Sequence, residues 1–262
     1  MELQELLKTH RSIRKYKKGA EVPFATIAEI VGESMAGGSS SGNLNTYSVI
    51  VTADAARKTE LWKLHSQQDF ILDAACVLTI CADHHRNRQW LESRDARDGF
   101  NNFLGYHVAA YDAMILAQNI ALSAQNRGLG ICYMGTTLYV TAELRRFLEL
   151  PDTVFPVTSL VIGVPDEDPR KRDRMPVSTV LHEETYRATR ADDIDAMFGA
   201  KEAATWARYR SNPETIRLMA EHGITNPAQF YTSKIKYGTD EQEQLARELH
   251  AELKTADFLP RN

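Results

Sequence analysis

Two basic clusters stand far apart in the chain, and their residue types suit one kind of chemistry. The first is His10-Arg11-Ser12-Ile13-Arg14 and the second is Arg172-Asp173-Arg174. In an extended segment, residues 12 and 14 share a face, as do 172 and 174. Each cluster can therefore aim alternate donors at one point. Guanidinium forks and a serine hydroxyl match a phosphate monoester, which carries close to two negative charges. A solvated charged surface is the competing reading of either cluster. Between them, Ser39-Ser40-Ser41 offers hydroxyl and backbone donors, or simply a turn.

Other chemistries find little support. Gly128-Leu129-Gly130 follows a helical pattern and precedes an apolar run, the reverse of the strand–glycine–helix order of a dinucleotide-binding turn. Neither a G-x-x-x-x-G-K-[ST] loop nor a G-x-S-x-G elbow occurs. His182-Glu183-Glu184-Thr185-Tyr186 carries tyrosine where a zinc-binding helix needs its second histidine. His84 and His85 are adjacent and so cannot share a face. Cys76, Cys81 and Cys132 are odd in number, lie in apolar runs and lack paired cysteine–histidine spacing. They read as structural thiols of a reducing, cytoplasmic protein, and no metal is expected.

The elements that must position these residues follow from periodicity. Glu2 to Thr9 is a short helix with Leu3, Leu6 and Leu7 at helical spacing, and Phe24 to Met35 is a second, stopped by Gly37-Gly38. Tyr47 to Thr52 reads as a strand. Asp54 to His65 reads as a helix capped by Asp54, and Cys76 to Cys81 as a buried strand. A long helix spans about Phe103 to Asn126, with Ala110, Ala113, Met114, Ala117, Ile120, Ala121 and Ala124 on one face. Such small residues admit close approach, which places this face at the centre of the fold or at a subunit interface. Ile131 to Met134 is a strand, Thr141 to Leu148 a helix and Val154 to Val164 a strongly apolar strand. Helices and strands mix along the chain, so the class is α/β or α+β. The composition turns polar after Val164. Residues 1–190 are expected to form the main domain, and 191–262 a helical appendage packed on it, with surface helices at Ala200–Tyr209 and Asp240–Leu253.

Composition bounds the function. The 262 residues are 43% hydrophobic and 25% charged, enough for a substantial core, and 31 basic against 35 acidic residues leave a net charge of −4. A mildly acidic chain is a poor wrapper of nucleic acid. No apolar run reaches the roughly 18 residues of a membrane span, and Met1 to Glu5 has neither the basic nor the apolar region of a signal peptide. Nucleic acid and membrane are therefore not expected partners.

Taken in order, several segments resemble the FMN-dependent nitroreductase family, in particular its oxygen-insensitive NADPH nitroreductase and flavin reductase subgroup. They are His10-Arg11-Ser12-Ile13-Arg14, Ser39-Ser40-Ser41, Gln68, Tyr111 to Asn119 and Gly128 to Gly135. The series ends with Gly163-Val164-Pro165, Arg172-Asp173-Arg174-Met175-Pro176 and His182 to Tyr186. Together they cover roughly residues 3–187. The resemblance implies an α+β fold with a central, mainly antiparallel sheet wrapped by helices. It also implies a homodimer with FMN at each subunit interface and NAD(P)H as co-substrate. Two electrons would pass by a ping-pong route to a nitroaromatic, quinone or flavin acceptor. A specialised reductive dehalogenase or enone reductase, or a non-catalytic FMN-binding module, is the alternative.

The resemblance also assigns residues. His10, Arg11 and Ser12 would approach the FMN phosphate and ribityl chain, joined by Arg172 and Arg174. Arg14 would lie near N1 and O2 of the flavin as the catalytic tuning charge, with no side-chain acid or nucleophile required. Gln68 would meet the pyrimidine or ribityl side, and the backbone of Tyr133, Met134 and Gly135 would lie by the ring. Ser39, Ser40 and Ser41 would come from the partner subunit. Thr136 replaces a usual second glycine. Arg208, Arg210, Lys234 and Lys236 are candidates for a nicotinamide 2′-phosphate, or plain surface.

Overall fold

A computed structural model describes residues 2–259; Met1 and residues 260–262, where the two expected domains begin and end, lie outside the described residues. The chain divides into two compact units, Met1–Lys171 with Glu248–Asn262, and Arg172–Arg247. This differs from the expected boundary near residue 190. The polar composition after Asp192 marks where helices begin, but most of residues 170–190 are already exposed. The last residues return to the first unit because Leu253, Ala256, Phe258 and Leu259 join Ala82, Tyr106, Ala109 and Phe155 in one buried cluster.

The first unit is built on four strands, β1 (Tyr47–Thr52), β2 (Cys76–Asp83), β3 (Gly130–Met134) and β4 (Val154–Gly163), in the order β1-β2-β4-β3. Every pairing is antiparallel. Around the sheet lie α1 (Leu3–Thr9), α2 (Phe24–Ala36), α3 (Ala55–Leu64), α4 (Phe70–Asp73), α5 (His85–Glu92), α6 (Phe103–Asn126) and α7 (Thr141–Phe147). The α+β architecture that the resemblance implies is thus present. All of β2 is buried, because alternate residues serve two cores. Cys76, Leu78 and Ile80 pack with Leu160 and Ile162 against α2 and α6. Val77 and Val161 pack on the other side with Leu61, Ile71 and Leu144.

The alanine face of α6 is core. Ala113, Ala117, Ala121 and Ala124 are fully buried beside Ile120, in the cluster that holds the strand residues. This settles the choice left by the sequence: the small residues let the helix lie close to the sheet rather than to a second subunit. The outer face exposes Leu104, Tyr111 and Ile115, and also Met114, which is expected from the sequence on the alanine face: one residue on from Ala113 turns it about 100° away, and it is 41% exposed. On α1 only Leu6 of the three leucines is buried. The three cysteines are buried and none is in a disulfide, and burial pushes Cys76 up to about 12 and Cys81 higher still. Among the described residues, no helix is long and apolar enough to cross a membrane, and no group of His, Cys, Asp or Glu could hold a metal.

The second unit holds α8 (Ile194–Arg210), α9 (Pro213–Glu221) and α10 (Pro227–Tyr231); α11 (Thr239–Thr255) begins in it. Asn212 and Asn226 each cap a helix whose first residue is proline, a position where the missing N–H costs nothing. Met219, Ile224 and Phe230 form its small core, with Trp206, Tyr209 and Ile235 packed against them.

Candidate functional site

The first basic cluster lies along the outer edge of the sheet. Ile13 donates its N–H to the Ile131 carbonyl of the edge strand at 2.9 Å, and Tyr16 bridges to Pro165 beyond β4. Two glycines paired across β3 and β4, Gly130 and Gly163, make this approach possible. A Cβ on Gly130 would fall 2.9–3.0 Å from Ile13 Cβ, Cγ1 and Cγ2, and one on Gly163 would fall 2.8 Å from Tyr16 Cδ1. Ile13 is buried, which turns its neighbours Ser12 and Arg14 to the other face by alternation, and Arg14 is exposed there.

Not all of the cluster is free to meet a ligand. His10 Nδ1 lies 2.9 Å from Gln125 Oε1 at the end of α6, and Arg11 pairs with Asp168. Glu167 Oε1 accepts the backbone N–H groups of Arg14 at 2.5 Å and Lys15 at 3.0 Å. Among the described residues nothing pairs with the Ser12 hydroxyl or the Arg14 guanidinium. The acidic turn after β4 therefore holds the cluster's backbone and one of its guanidinium groups, and leaves one hydroxyl and one guanidinium outward.

At the end of β3 the structure brings further expected residues together. Ile13 and Met134 share a core cluster, so Met134 has its side chain inward and its backbone at the strand end. Tyr133 is half-buried, its hydroxyl 3.4 Å from Gln118 Oε1 and raised by burial to about 12. Gly135 is exposed, with open space where a Cβ would be. Gln68 reaches the same place, its Nε2 donating to the His65 carbonyl at 3.1 Å and to Thr136 Oγ1 at 3.4 Å. His65 Nδ1 lies 2.7 Å from the same hydroxyl. His65 is fully buried, and desolvation lowers its pKa from 6.5 to about 4, so the ring is neutral near pH 7. Between His65 and Gln68, Ser66 and Gln67 both adopt left-handed backbone, with φ of 56° and 54°. For residues with a Cβ this costs roughly 1–2 kcal/mol each. Strain of this kind persists where surrounding structure over-determines it.

The serine loop stands elsewhere, leading into β1 at the opposite edge of the sheet from β3. Ser40 Oγ donates to Asp112 Oδ2 at 2.7 Å. The Ser41 backbone and hydroxyl reach Oδ1 at 3.0 and 3.2 Å, and Thr46 Oγ1 donates to Oδ2 at 2.8 Å. The Ser40 and Ser41 hydroxyl protons are thus committed to a carboxylate that is 2% exposed on α6, while Ser39 remains exposed. Sequence reasoning missed Asp112. The available signal was a lone acid in the helix, whose neighbours one turn away, Val108, Ala109, Ile115 and Leu116, are all apolar. It also missed His65 and the anchoring roles of Glu167 and Asp168.

Arg172 and Arg174 belong to the second unit, both exposed, with Arg174 Nη1 donating to the Arg172 carbonyl at 3.3 Å. Of the four cations considered for a 2′-phosphate, Arg208 stacks on Tyr209, Arg210 on Trp206 and Lys236 on Tyr237.

Known proteins share the sequence pattern and the fold of this chain. The family model described as "Nitroreductase family" matches residues 7–164. The FMN reductase (NADPH) of Bacillus subtilis is 30% identical over 190 residues, covering 72% of this chain and 76% of that protein. A solved structure from Bacteroides fragilis superposes with a TM-score of 0.86 at 32% identity, covering 97% of this chain and 99% of the other. The NADPH:FMN oxidoreductase of Vibrio harveyi, solved with NAD+, gives 0.70 at 26% identity, over 90% and 99% of the two chains.

Proposed function

Since this chain belongs to the nitroreductase family and is an oxidoreductase of that family, we propose that it is an NADPH-dependent FMN reductase or nitroreductase. It binds FMN beside β3 and passes two electrons to nitroaromatic, quinone or flavin acceptors in ping-pong fashion. The observation that carries this reading is the unpartnered pair Ser12 and Arg14. They face outward from a segment bonded to the same strand that ends at exposed Gly135.

The residues fit the cofactor. A flavin mononucleotide needs cation and hydroxyl donors, room for a flat ring and groups for its polar edge. Arg14 and Ser12 supply the first, the open space at Gly135 the second, and Gln68 and Thr136 the third. FMN, when bound, would supply the hydride and two-electron chemistry, which this chain's side chains do not offer. Arg14 would supply a positive charge where negative charge accumulates on reduction, and Ser12 would orient the chain bearing the phosphate. The roles that the resemblance gives to Arg172 and Arg174 stand as part of the same proposal, while His10 and Arg11, held by Gln125 and Asp168, anchor the segment.

A homodimer belongs to this reading. The serine loop and the first cluster lie at opposite edges of the sheet within one chain, so a single copy does not unite them. The outer face of α6, with Leu104, Tyr111, Met114 and Ile115 exposed, offers the apolar surface for a second copy. The buried thiols suit a reducing cytoplasm.

The deciding experiment is anaerobic reduction of the purified protein. A yellow protein whose flavin absorbance bleaches with NADPH, and recovers with a nitroaromatic or quinone, fits the proposal. A yellow protein that neither NADPH nor NADH bleaches identifies a binding module instead.

A further inference from the structure

The polar groups around Thr136 have a direction that follows from counting donors and acceptors. His65 is fully buried, its Nδ1 faces Thr136 Oγ1 at 2.7 Å, and its Nε2 has no hydrogen-bond partner. A neutral imidazole has one N–H and one lone pair. A proton on Nε2 would leave a buried donor unpaired, the costlier defect, whereas a proton on Nδ1 leaves only a lone pair. The proton therefore sits on Nδ1 and is donated to Thr136. Gln68 Nε2 donates to the same oxygen at 3.4 Å and to the His65 carbonyl at 3.1 Å. Both lone pairs of the Thr136 oxygen are then engaged, and so are both N–H groups of the Gln68 amide. What remains outward is one O–H donor on Thr136 and one C=O acceptor on Gln68. Both residues are half-buried, next to exposed Gly135.

We infer that Thr136 and Gln68 form a matched donor–acceptor pair for an imide-type edge, a carbonyl beside an N–H, with His65 as the positioning residue that fixes the direction of the Thr136 hydroxyl. This rests on the FMN reading above, since the flavin pyrimidine ring presents such an edge. It adds to that reading a donor at Thr136 and an orienting role for His65. The left-handed pair Ser66 and Gln67 joins the two parts of the device, holding Gln68 against the residue that orients its neighbour.

The test measures FMN dissociation constants by fluorescence for the full-length protein and for Thr136→Val, Thr136→Ser, His65→Leu and the His65→Leu/Thr136→Val double variant. Valine keeps the shape and removes the donor, so binding should weaken about five- to tenfold, the range of one neutral hydrogen bond. Serine should restore it. His65→Leu should show part of the valine loss, and the double variant no more than Thr136→Val alone. The wild type should also prefer FMN to its N3-methyl analogue, because the Gln68 oxygen would face a methyl group. An unchanged constant for Thr136→Val, or additive losses in the double variant, overturns the assignment while leaving the FMN reading intact. A wild type that binds no FMN overturns both. Should His65→Leu fail to fold, the valine and serine pair still decides.

Discussion

Replacing Gly130 by alanine should damage both the stability and the ligand affinity of this protein through one displacement. The added Cβ would sit 2.9 Å from Ile13 Cβ and 3.0 Å from Cγ1 and Cγ2. Ordinary carbon contacts lie at about 3.5–4.0 Å. A rotamer change cannot relieve the overlap, because Ile13 Cβ is itself one of the three atoms. The backbone of residues 12–14 must therefore move by roughly 0.6–1 Å against the bond from Ile13 to Ile131. Overpacking of this kind costs about 1–3 kcal/mol. The same shift carries Ser12 and Arg14 away from their ligand, and a charge-assisted bond worth roughly 1.5–3 kcal/mol is at stake, about tenfold or more in FMN affinity. Urea denaturation and flavin fluorescence titration measure the two effects. As a control, Gly32→Ala in α2 meets nothing within 4 Å and should stabilise, by up to about 1 kcal/mol. If Gly130→Ala keeps wild-type stability, the packing argument fails. If it loses stability but keeps full FMN affinity, residues 12–14 do not hold the cofactor.

Three further outcomes follow from particular groups. Burial lowers His65 from 6.5 to about 4, so the unfolded chain takes up this proton first as pH falls. Its contribution to stability should be complete above about pH 6.5 and shrink by about 3 kcal/mol on the way to pH 4, at 1.36 kcal/mol per pH unit. Denaturation of wild type and His65→Leu at pH 7 and 4.5 checks this, and parallel losses in the two proteins would contradict it. Asp112→Ala strands the donors of Ser40, Ser41 and Thr46 and should cost about 3 kcal/mol or more by urea denaturation, with a loss under about 1 kcal/mol counting against the anchor. Arg14→Gln removes the outward charge and should lower the flavin midpoint potential by at least about 30 mV, read by spectroelectrochemistry, while FMN stays bound.

The fold was legible where one period dominated. The Phe103–Asn126 helix is observed as expected, and the strands at residues 47–52, 131–134 and 154–164 agree within a residue. The sequence did not show α9 and α10, although the Asn-Pro pairs at 212–213 and 226–227 are helix-start signals. At 9 and 5 residues they are too short for periodicity to reveal them. Nor did it show where the chain divides, because a boundary is set by which residues touch. The apolar residues that return the C-terminus to the first unit are few and close to its end. At the site, residue types were visible but pairings were not. Asp112 lies 72 positions from Ser40, Thr136 lies 71 from His65, and nothing local in the chain marks either contact.

That distinction changes how the first basic cluster is understood. Counted along the chain, residues 10–14 offer two guanidinium groups, an imidazole and a hydroxyl to one anion. In the fold they separate by task. His10 is held by Gln125, Arg11 by Asp168, and the backbone of Arg14 and Lys15 by Glu167. An outward cation is useful only if its segment does not move, and these bonds, with Ile13 and Tyr16 in the core, immobilise the segment. Arg14 itself stays exposed, where an unpaired charge costs little because water still solvates it. The acidic turn at 166–168 thus acts by neutralising what is not needed and fixing what is. A sequence count of positive charge overstates the cation left unpaired, and gives no sign that the backbone beneath it is held.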